Sequence, residues 1–468
     1  MKFVQLLGKN LFADIIALDF DSRVVFSLSA AIVVLSAIAA AVFGIKSFVI
    51  LIVVPLIYFI LKYENFLIYM LLGTSQFIGF YLSSLYTVYV YFIVLMIMFL
   101  WIAKKIILNE KTVAYSKFLV AFFMVFFAFG VLSSLQEGLK INEIAVIIRF
   151  SIFIPFVFIL YDMINPRHSF NFILAASIPI LWTCVLVLFR FLTAGGLFGL
   201  LELYRIKIAG IFTNGNTLGG IIILLLPFWL AESFGRRNKL TRYISIILSI
   251  MMTATLILIN SRAALVGFGA VAVIFAIRMK KVKYLIAIAG TAIIILLTAP
   301  AISTVISVGL RLERADSGRI EVWKNTIDIL KDNYILGIGL GNFRQEYNVY
   351  FKTAWERSFM SGVLFHAHNQ LLSKTAELGV IGFMLTIILY YYPIRKGREI
   401  LSKLSIGENK EIVFGILCGI IAMYVRSLFE ARGILEAGAI YPDILFWMFF
   451  ILLLKSAKLE NNTLPIAS

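Results

Sequence analysis

The sequence predicts an all-α polytopic membrane protein: a bundle of about 12 to 14 transmembrane helices with one long extracytoplasmic loop that carries an amphipathic helix. Three observations carry this. The chain has 468 residues, 62% of them hydrophobic and only 14% charged, and its mean hydropathy of +0.99 excludes a water-soluble domain of this size. Apolar runs of helix-spanning length recur along it. Its Lys and Arg residues cluster in alternate connections between those runs. The formal net charge of +17 is what retained cytoplasmic Lys and Arg produce, and no basic face interleaved with aromatics lies outside the spans, so nucleic acid is not an expected partner. Cys184 and Cys418 both lie in apolar runs, which leaves neither a disulfide framework nor a zinc cluster.

In order, residues 1–23 hold Asp14, Asp19 and Asp21 with no small-residue cleavage site, and read as an amphipathic segment on the cytoplasmic surface. Spans are expected near 24–43, 47–61, 66–84, 86–103, 118–135, 144–161, 170–193, 211–231, 243–259, 263–278 and 284–306, the main bundle of residues 24–306. The long loop follows over 307–370. Spans near 371–393, 411–429 and 438–454 then make up the C-terminal part, 371–454, with 455–468 as a tail. Four basic clusters fix the orientation: Lys104 to Lys117, Arg236 to Arg242, Arg278 to Lys283, and Arg395 to Lys410. With these spans all four lie on one side, which the positive-inside rule makes cytoplasmic, and both termini follow them there.

The opposite face therefore holds the long loop. In DSGRIEVWKNTIDILKDNYILGIGLGNF, Ile320, Trp323, Ile327 and Leu330 repeat at helical spacing, and Asp316 or Ser317 is placed to cap a helix on or near the membrane surface. Gly337, Gly339 and Gly341 alternate after it. With no strand before them they suggest a tight turn rather than a nucleotide loop.

The loop ends in HAHNQLLSKTAELGVIGF, where His368 opens an apolar helix and shares a face with Leu372, Thr375, Gly379 and Gly382. The glycines would let another helix approach that face, and imidazole suits proton transfer near neutral pH. On the same helical wheel His366 points roughly 200° away from that face and should matter less. Arginines are disfavoured on an outer face, yet Arg205, Arg262 and Arg319 are expected there, with Arg149, Arg190 and Arg426 near the outer ends of spans. Singly each could anchor a helix to lipid phosphates. Together they suggest an outward electropositive pocket for an anionic lipid-linked ligand, because the planar guanidinium makes paired charge-assisted bonds to diphosphate.

Four segments, YRIKIAGIFTNGNTLGG, SRAALVGF, SGRIEVWKNTIDILKDNYILGIGLGNF and HAHNQLLSKTAELGVIGF, make the chain resemble the O-antigen ligase and polymerase superfamily of bacterial inner-membrane glycosyltransferases over roughly residues 200 to 395. The resemblance implies metal-independent transfer of a glycan from undecaprenyl diphosphate, with no cofactor, to lipid A core, a growing glycan or a protein at the outer face of the cytoplasmic membrane. Carried over, Arg205 and Arg262 would hold the diphosphate, Arg319 would support the leaving group or glycan, and His368 would orient or deprotonate the acceptor. Asn216 and Asn369 would be supporting residues, as would Arg149, Arg190 and Arg426. Ligase, Wzy-type polysaccharide polymerase and protein oligosaccharyltransferase share these motifs. A flippase for a lipid-linked glycan is the non-enzymatic alternative, disfavoured because the ionisable residues gather at one face rather than at mid-membrane.

Overall fold

The structure is a computed structural model that describes residues 68–73, 86–136, 138, 140–193, 215–235, 239–259, 261–280, 319–349, 366–405, 407–436 and 440–462. Every regular element among them is helical: α1 (Tyr86–Leu108), α2 (Lys117–Leu135), α3 (Ile141–Met163), α4 (Ser169–Thr193), α5 (Gly215–Phe234), α6 (Lys239–Leu258), α7 (Arg262–Arg278), α8 (Arg319–Asp332), α9 (Phe343–Val349), α10 (Gln370–Lys403), α11 (Glu408–Ser427) and α12 (Ile440–Lys455). Among the described residues 7 stretches are long and apolar enough to cross a membrane, as the sequence predicts for a polytopic helical protein. The spans expected from 86–103 to 263–278, and again from 371–393 to 438–454, fall on described helices. The expected 1–23 segment, the 24–43, 47–61 and 284–306 spans, most of 66–84, and Arg205 lie outside the described residues.

The chain divides into two compact units, Met1–Tyr115 with Pro155–Trp182, and Ser116–Ile154 with Thr183–Ser468. In the first, Asp162 fixes the turn after α1. Its carboxylate pairs with Lys105 at 2.9 Å and accepts hydrogen bonds from Trp101 Nε1 at 2.8 Å and from the Val113 amide at 2.7 Å. Part of the first basic cluster is thus held by an acid as well as by topology.

The second unit is built around α5, whose side chains are almost all buried and which packs most extensively on α11. Two small residues one turn apart on α11 make this possible. A Cβ at Gly419 would stand 2.4 Å from the Leu224 carbonyl oxygen, and one at Gly415 would stand 2.6 Å from Phe228 Cα. The backbones touch, which is how helices associate where lipid tails remove the hydrophobic drive. Around α2 and α12, Phe122, Phe123, Phe126, Phe150, Phe153 and Trp447 form a continuous aromatic core with stacked, tilted and edge-to-face pairs.

Two features of the long loop depart from expectation. The packed face of α8 is Val322, Asn325, Thr326 and Ile329, resting on Ile338, Phe343, Tyr347, Ala367 and Ala376. Ile320 and Ile327 are exposed instead. Apolar periodicity in a membrane protein does not separate the protein interior from the lipid side. Asn325 is buried because its amide donates to the Tyr347 hydroxyl at 3.2 Å, and Thr326 because its hydroxyl donates to the Val322 carbonyl at 2.6 Å.

Gly379 also behaves differently. It does not offer a smooth face to another helix; at φ 61° and ψ −149° it breaks α10, and a Cβ there would lie 2.2 Å from the Ile335 carbonyl oxygen. The neighbour is the glycine-rich turn. Where the helix opens, the carbonyls of Ala376 and Glu377 accept the amides of Ile338 and Gly339 at 2.9 and 3.1 Å. Gly337, Gly339 and Gly341 have φ of 74°, 88° and 76°, the left-handed region that L side chains disfavour. The segment is a turn, as its sequence predicts, and its amides are further held by the Ser133 and Ser134 hydroxyls at 2.9 and 3.2 Å. Helix α10 also runs to Lys403, so Arg395, Lys396 and Arg398 lie on its last turns rather than in a loop.

Candidate active site

Helices of the second unit alternate in direction, and this sorts their charged ends. Arg278 at the end of α7 pairs with Glu411 in the first turn of α11. At the other end of the same two helices stand Arg262 and Arg426, with Asn216 at the start of α5 and the His366–Asn369 segment ahead of α10.

At the centre of that end is Glu430, in the turn after α11 and only 1% exposed. Its Oε1 lies 3.5 Å from His366 Nε2 and its Oε2 lies 3.4 Å from His368 Nδ1. Asn216 Nδ2 donates to Oε2 at 2.9 Å, and Asn216 Oδ1 in turn accepts from the Ser261 hydroxyl at 2.9 Å. Arg426, fully buried, donates from Nη2 to the Asn216 carbonyl and from Nη1 to the Arg432 carbonyl, each at 2.7 Å. Its guanidinium lies where a Cβ on Gly220 would be, 2.7 Å from Cζ. Arg432 Nε points at His366 Nε2 from 3.3 Å.

Burial alone would raise the Glu430 carboxyl, but His368, His366 and Arg426 outweigh it and hold the group well below the usual carboxylate range. Glu430 is therefore an anion in a cationic setting. His366 is pushed down to about 3, first by burial, against the opposing pull of Glu430 and with His368 and Arg432 adding to the fall. It is a neutral imidazole with one lone pair. That lone pair serves either the His368 amide, 3.2 Å from Nδ1, or Arg432.

The predicted residues are placed as follows. His368 precedes α10 instead of lying in it, at φ 52°, a strained position for a non-glycine residue. Asn369 is the N-cap, its side chain accepting the Leu372 amide at 3.0 Å. The helical-wheel argument that turned His366 away therefore fails, since both histidines lie in the non-helical lead-in, their rings 4.7 Å apart and edge-to-face. Trp323 Nε1 holds this lead-in through the Ala367 carbonyl at 3.0 Å, and Ser373 accepts the Ala367 amide at 3.0 Å. Arg319, at the start of α8, comes close enough to Glu430 and Arg262 for both to act on it: burial lowers its pKa, Glu430 opposes this and Arg262 adds to it. Arg149 lines an adjoining cavity. Arg190 is exposed in the last turn of α4 and does not line that cavity.

Sequence reasoning missed Glu430 and Arg432. The available signal was RSLFEARG, residues 426–433, an acid with an arginine on either side between apolar runs, where ionisable residues are rare unless they serve a site. Glu430, His366 and His368 each offer one atom within 4.8 Å of the others, which is metal-ligand spacing. Arg432 Nε already donates toward His366 Nε2, and Arg426 and Arg319 act on the carboxylate, with Arg262 acting on Arg319 in turn, so the surroundings of the cluster are cationic.

A helical bundle of membrane-spanning length thus gathers a buried carboxylate, paired histidines and several arginines at one end. Residues 247–387 match the O-antigen ligase family model, Wzy_C. Over that stretch the chain carries an O-antigen ligase family domain, which supports a likeness to the O-antigen ligases and Wzy-type polymerases, set among several helices long and apolar enough to cross a membrane. The match contains Arg262, Arg319, His366, His368 and Asn369, while Glu430, Arg426 and Asn216 lie beyond it. No curated protein matches the chain significantly.

Proposed function

We propose that the protein is an O-antigen ligase-like glycosyltransferase that moves a glycan from undecaprenyl diphosphate to an acceptor hydroxyl, with lipid A core as the acceptor of first choice. The reaction takes place at the outer face of the bacterial cytoplasmic membrane. The observation that carries this reading is the juxtaposition of Arg262 and Arg319 with the Glu430–His366–His368 cluster. Displacing a diphosphate from an anomeric carbon needs cations for the leaving group and a base for the nucleophile, and preorganised charges supply the larger share of such catalysis. The acceptor oxygen forms its bond to the anomeric carbon as the bond from that carbon to the diphosphate oxygen breaks. The leaving diphosphate takes the electron pair, neutralised by Arg262 and Arg319, with Arg205 expected to join them. The acceptor proton passes to His368, and the imidazolium that results is stabilised by the Glu430 carboxylate. A single direct displacement inverts the anomeric centre, and no metal is required.

Purified protein in nanodiscs, supplied with lipid-linked glycan and candidate acceptors, should form product without nucleotide and in the presence of EDTA. His368→Ala should lower the rate about 10²- to 10⁴-fold, the usual worth of a general base, with donor binding retained. Undecaprenyl diphosphate should bind more tightly than the monophosphate, since the second phosphate adds charge-assisted contacts of about 1.5 to 3 kcal/mol. Transbilayer movement of donor without product would replace this reading with a flippase.

A further inference from the structure

Beside His366 lies a cavity of about 420 Å³, within the range of roughly 300 to 1,000 Å³ that small-molecule sites occupy. Its walls come from the first turns of α3 and α10, the start of α9 and the turn after Glu430. Four cations line it, Arg149, Arg344, Lys374 and Arg432, against two acids, Glu377 and Glu436. Both acids are already engaged: Glu377 accepts Lys374 Nζ at 2.5 Å and the Gly341 amide at 3.1 Å, and Glu436 lies 3.3 Å from Arg432 Nε. The balance inside is positive.

Two further observations point to an occupant. Gln370, a residue of the cavity wall, is buried, 1% exposed, and its Oε1 has no hydrogen-bond partner among the described residues. A lone buried acceptor of this kind is unfavourable unless something donates to it. Arg149, about two turns into the mostly apolar helix α3, is exposed and lines the cavity, a cation at a depth of a membrane-spanning helix where charges ordinarily face a polar cavity or a ligand. Amides and carboxylates suit sugar hydroxyls, and the excess cations suit an acid on the same molecule. Arg262 and Arg319 do not line this cavity, so it is separate from the diphosphate end of the site.

We propose that this cavity is a saccharide subsite selective for a sugar bearing a negative charge, either carboxylate or phosphate, and that it holds the acceptor next to the histidines. Its identity as the acceptor subsite rests on the transfer reaction proposed above. Its preference for acidic sugars does not. The test uses full-length protein in nanodiscs with three probes: trigalacturonate, galactose 6-phosphate, and neutral galactotriose.

The acidic probes should bind at least about 10-fold more tightly than the neutral one, and this preference should shrink as salt rises. Arg149→Gln should weaken the acidic probes about 10-fold, the worth of one charge-assisted contact, and leave the neutral one as it was. Arg149→Lys should restore much of the loss. If only one acidic probe behaves this way, the anion is assigned to that class. Equal binding of acidic and neutral probes, no binding of any probe, or acidic binding unmoved by Arg149→Gln would overturn the subsite. Acidic preference without any glycan transfer by the wild type would leave the subsite standing and sink the transfer reading. Transfer whose KM ignores both acceptor charge and Arg149 would do the reverse.

Discussion

The immediate surroundings of the Glu430 carboxylate decide what each histidine can do. His366 has Arg432 against one nitrogen and sits 9% exposed, whereas His368 keeps a partly exposed side chain beside the carboxylate. We expect Glu430→Gln to reduce transfer strongly, since the amide neither stabilises an imidazolium nor answers the surrounding arginines. Single-turnover rates should fall in protein that remains folded at the assay temperature, because Gln keeps the hydrogen bond from Asn216 even though the loss of the buried charge lowers the melting temperature. Equal rates for Glu430→Gln and wild type would remove the carboxylate from the mechanism. Acid sensitivity follows from the same cluster. His366 binds a proton at 6.5 when unfolded and at about 3 when folded, and Glu430 is likewise depressed from 4.5. In both cases the folded state binds fewer protons, so stability is full above the unfolded values and is lost as pH falls, first from about 6.5 for His366 and then below 4.5 for Glu430. Thermal melts across this range should show the wild type losing stability from pH 7 to pH 5, with His366→Asn flattening that part of the curve. A wild-type profile that is flat there would contradict the buried neutral imidazole.

At the scale of elements, the break in α10 sets the height of the site. Gly379 opens the helix, the 337–341 turn bonds into the opening, and Glu377 thereby reaches the Gly341 amide. Gly379→Ala combines a positive φ with a clash against backbone, and should cost at least about 1 to 3 kcal/mol while also impairing transfer. Gly269→Ala is the matching control: nothing lies within 4 Å of its Cβ position, and Ala favours a helix interior over Gly by about 1 kcal/mol. Differential scanning fluorimetry should show the two substitutions moving stability in opposite directions. A tolerated Gly379→Ala would mean that the break is not required. The amphipathic periodicity of α8 was legible in the sequence, but its buried face was not, because burial was decided by Asn325 finding Tyr347 rather than by hydrophobicity.

At the scale of the whole molecule, α7 and α11 each run from one charged end to the other, with Arg278 and Glu411 at one and Arg262 and Arg426 at the other. If the positive-inside rule governs, the Arg278 end is cytoplasmic and the site faces outward. The native cysteines are buried, so Gln345→Cys and Ser402→Cys, both at exposed positions, report on opposite sides. An impermeant maleimide added to intact spheroplasts should label the first and spare the second. Labelling of both from one side would overturn the orientation and the mechanism with it.

The sequence by itself determined the class, most of the described spans and some of the cations that the structure gathers, Arg319 and Arg426 among them. Each of these depends on quantities local to a stretch of chain: an apolar run long enough for a bilayer, Lys and Arg density in a loop, and motif residues such as Arg262, Arg319 and His368 at their spacing. Only the tertiary structure decided that His366 stands beside His368, that Glu430 lies between them, and that Arg149, Gln370 and Arg432 share a cavity. Glu430 is 62 residues beyond His368, and nothing periodic links them. They meet because α10 and α11 run antiparallel, and because a buried carboxylate is tolerated only where histidines, an amide and a guanidinium converge on it.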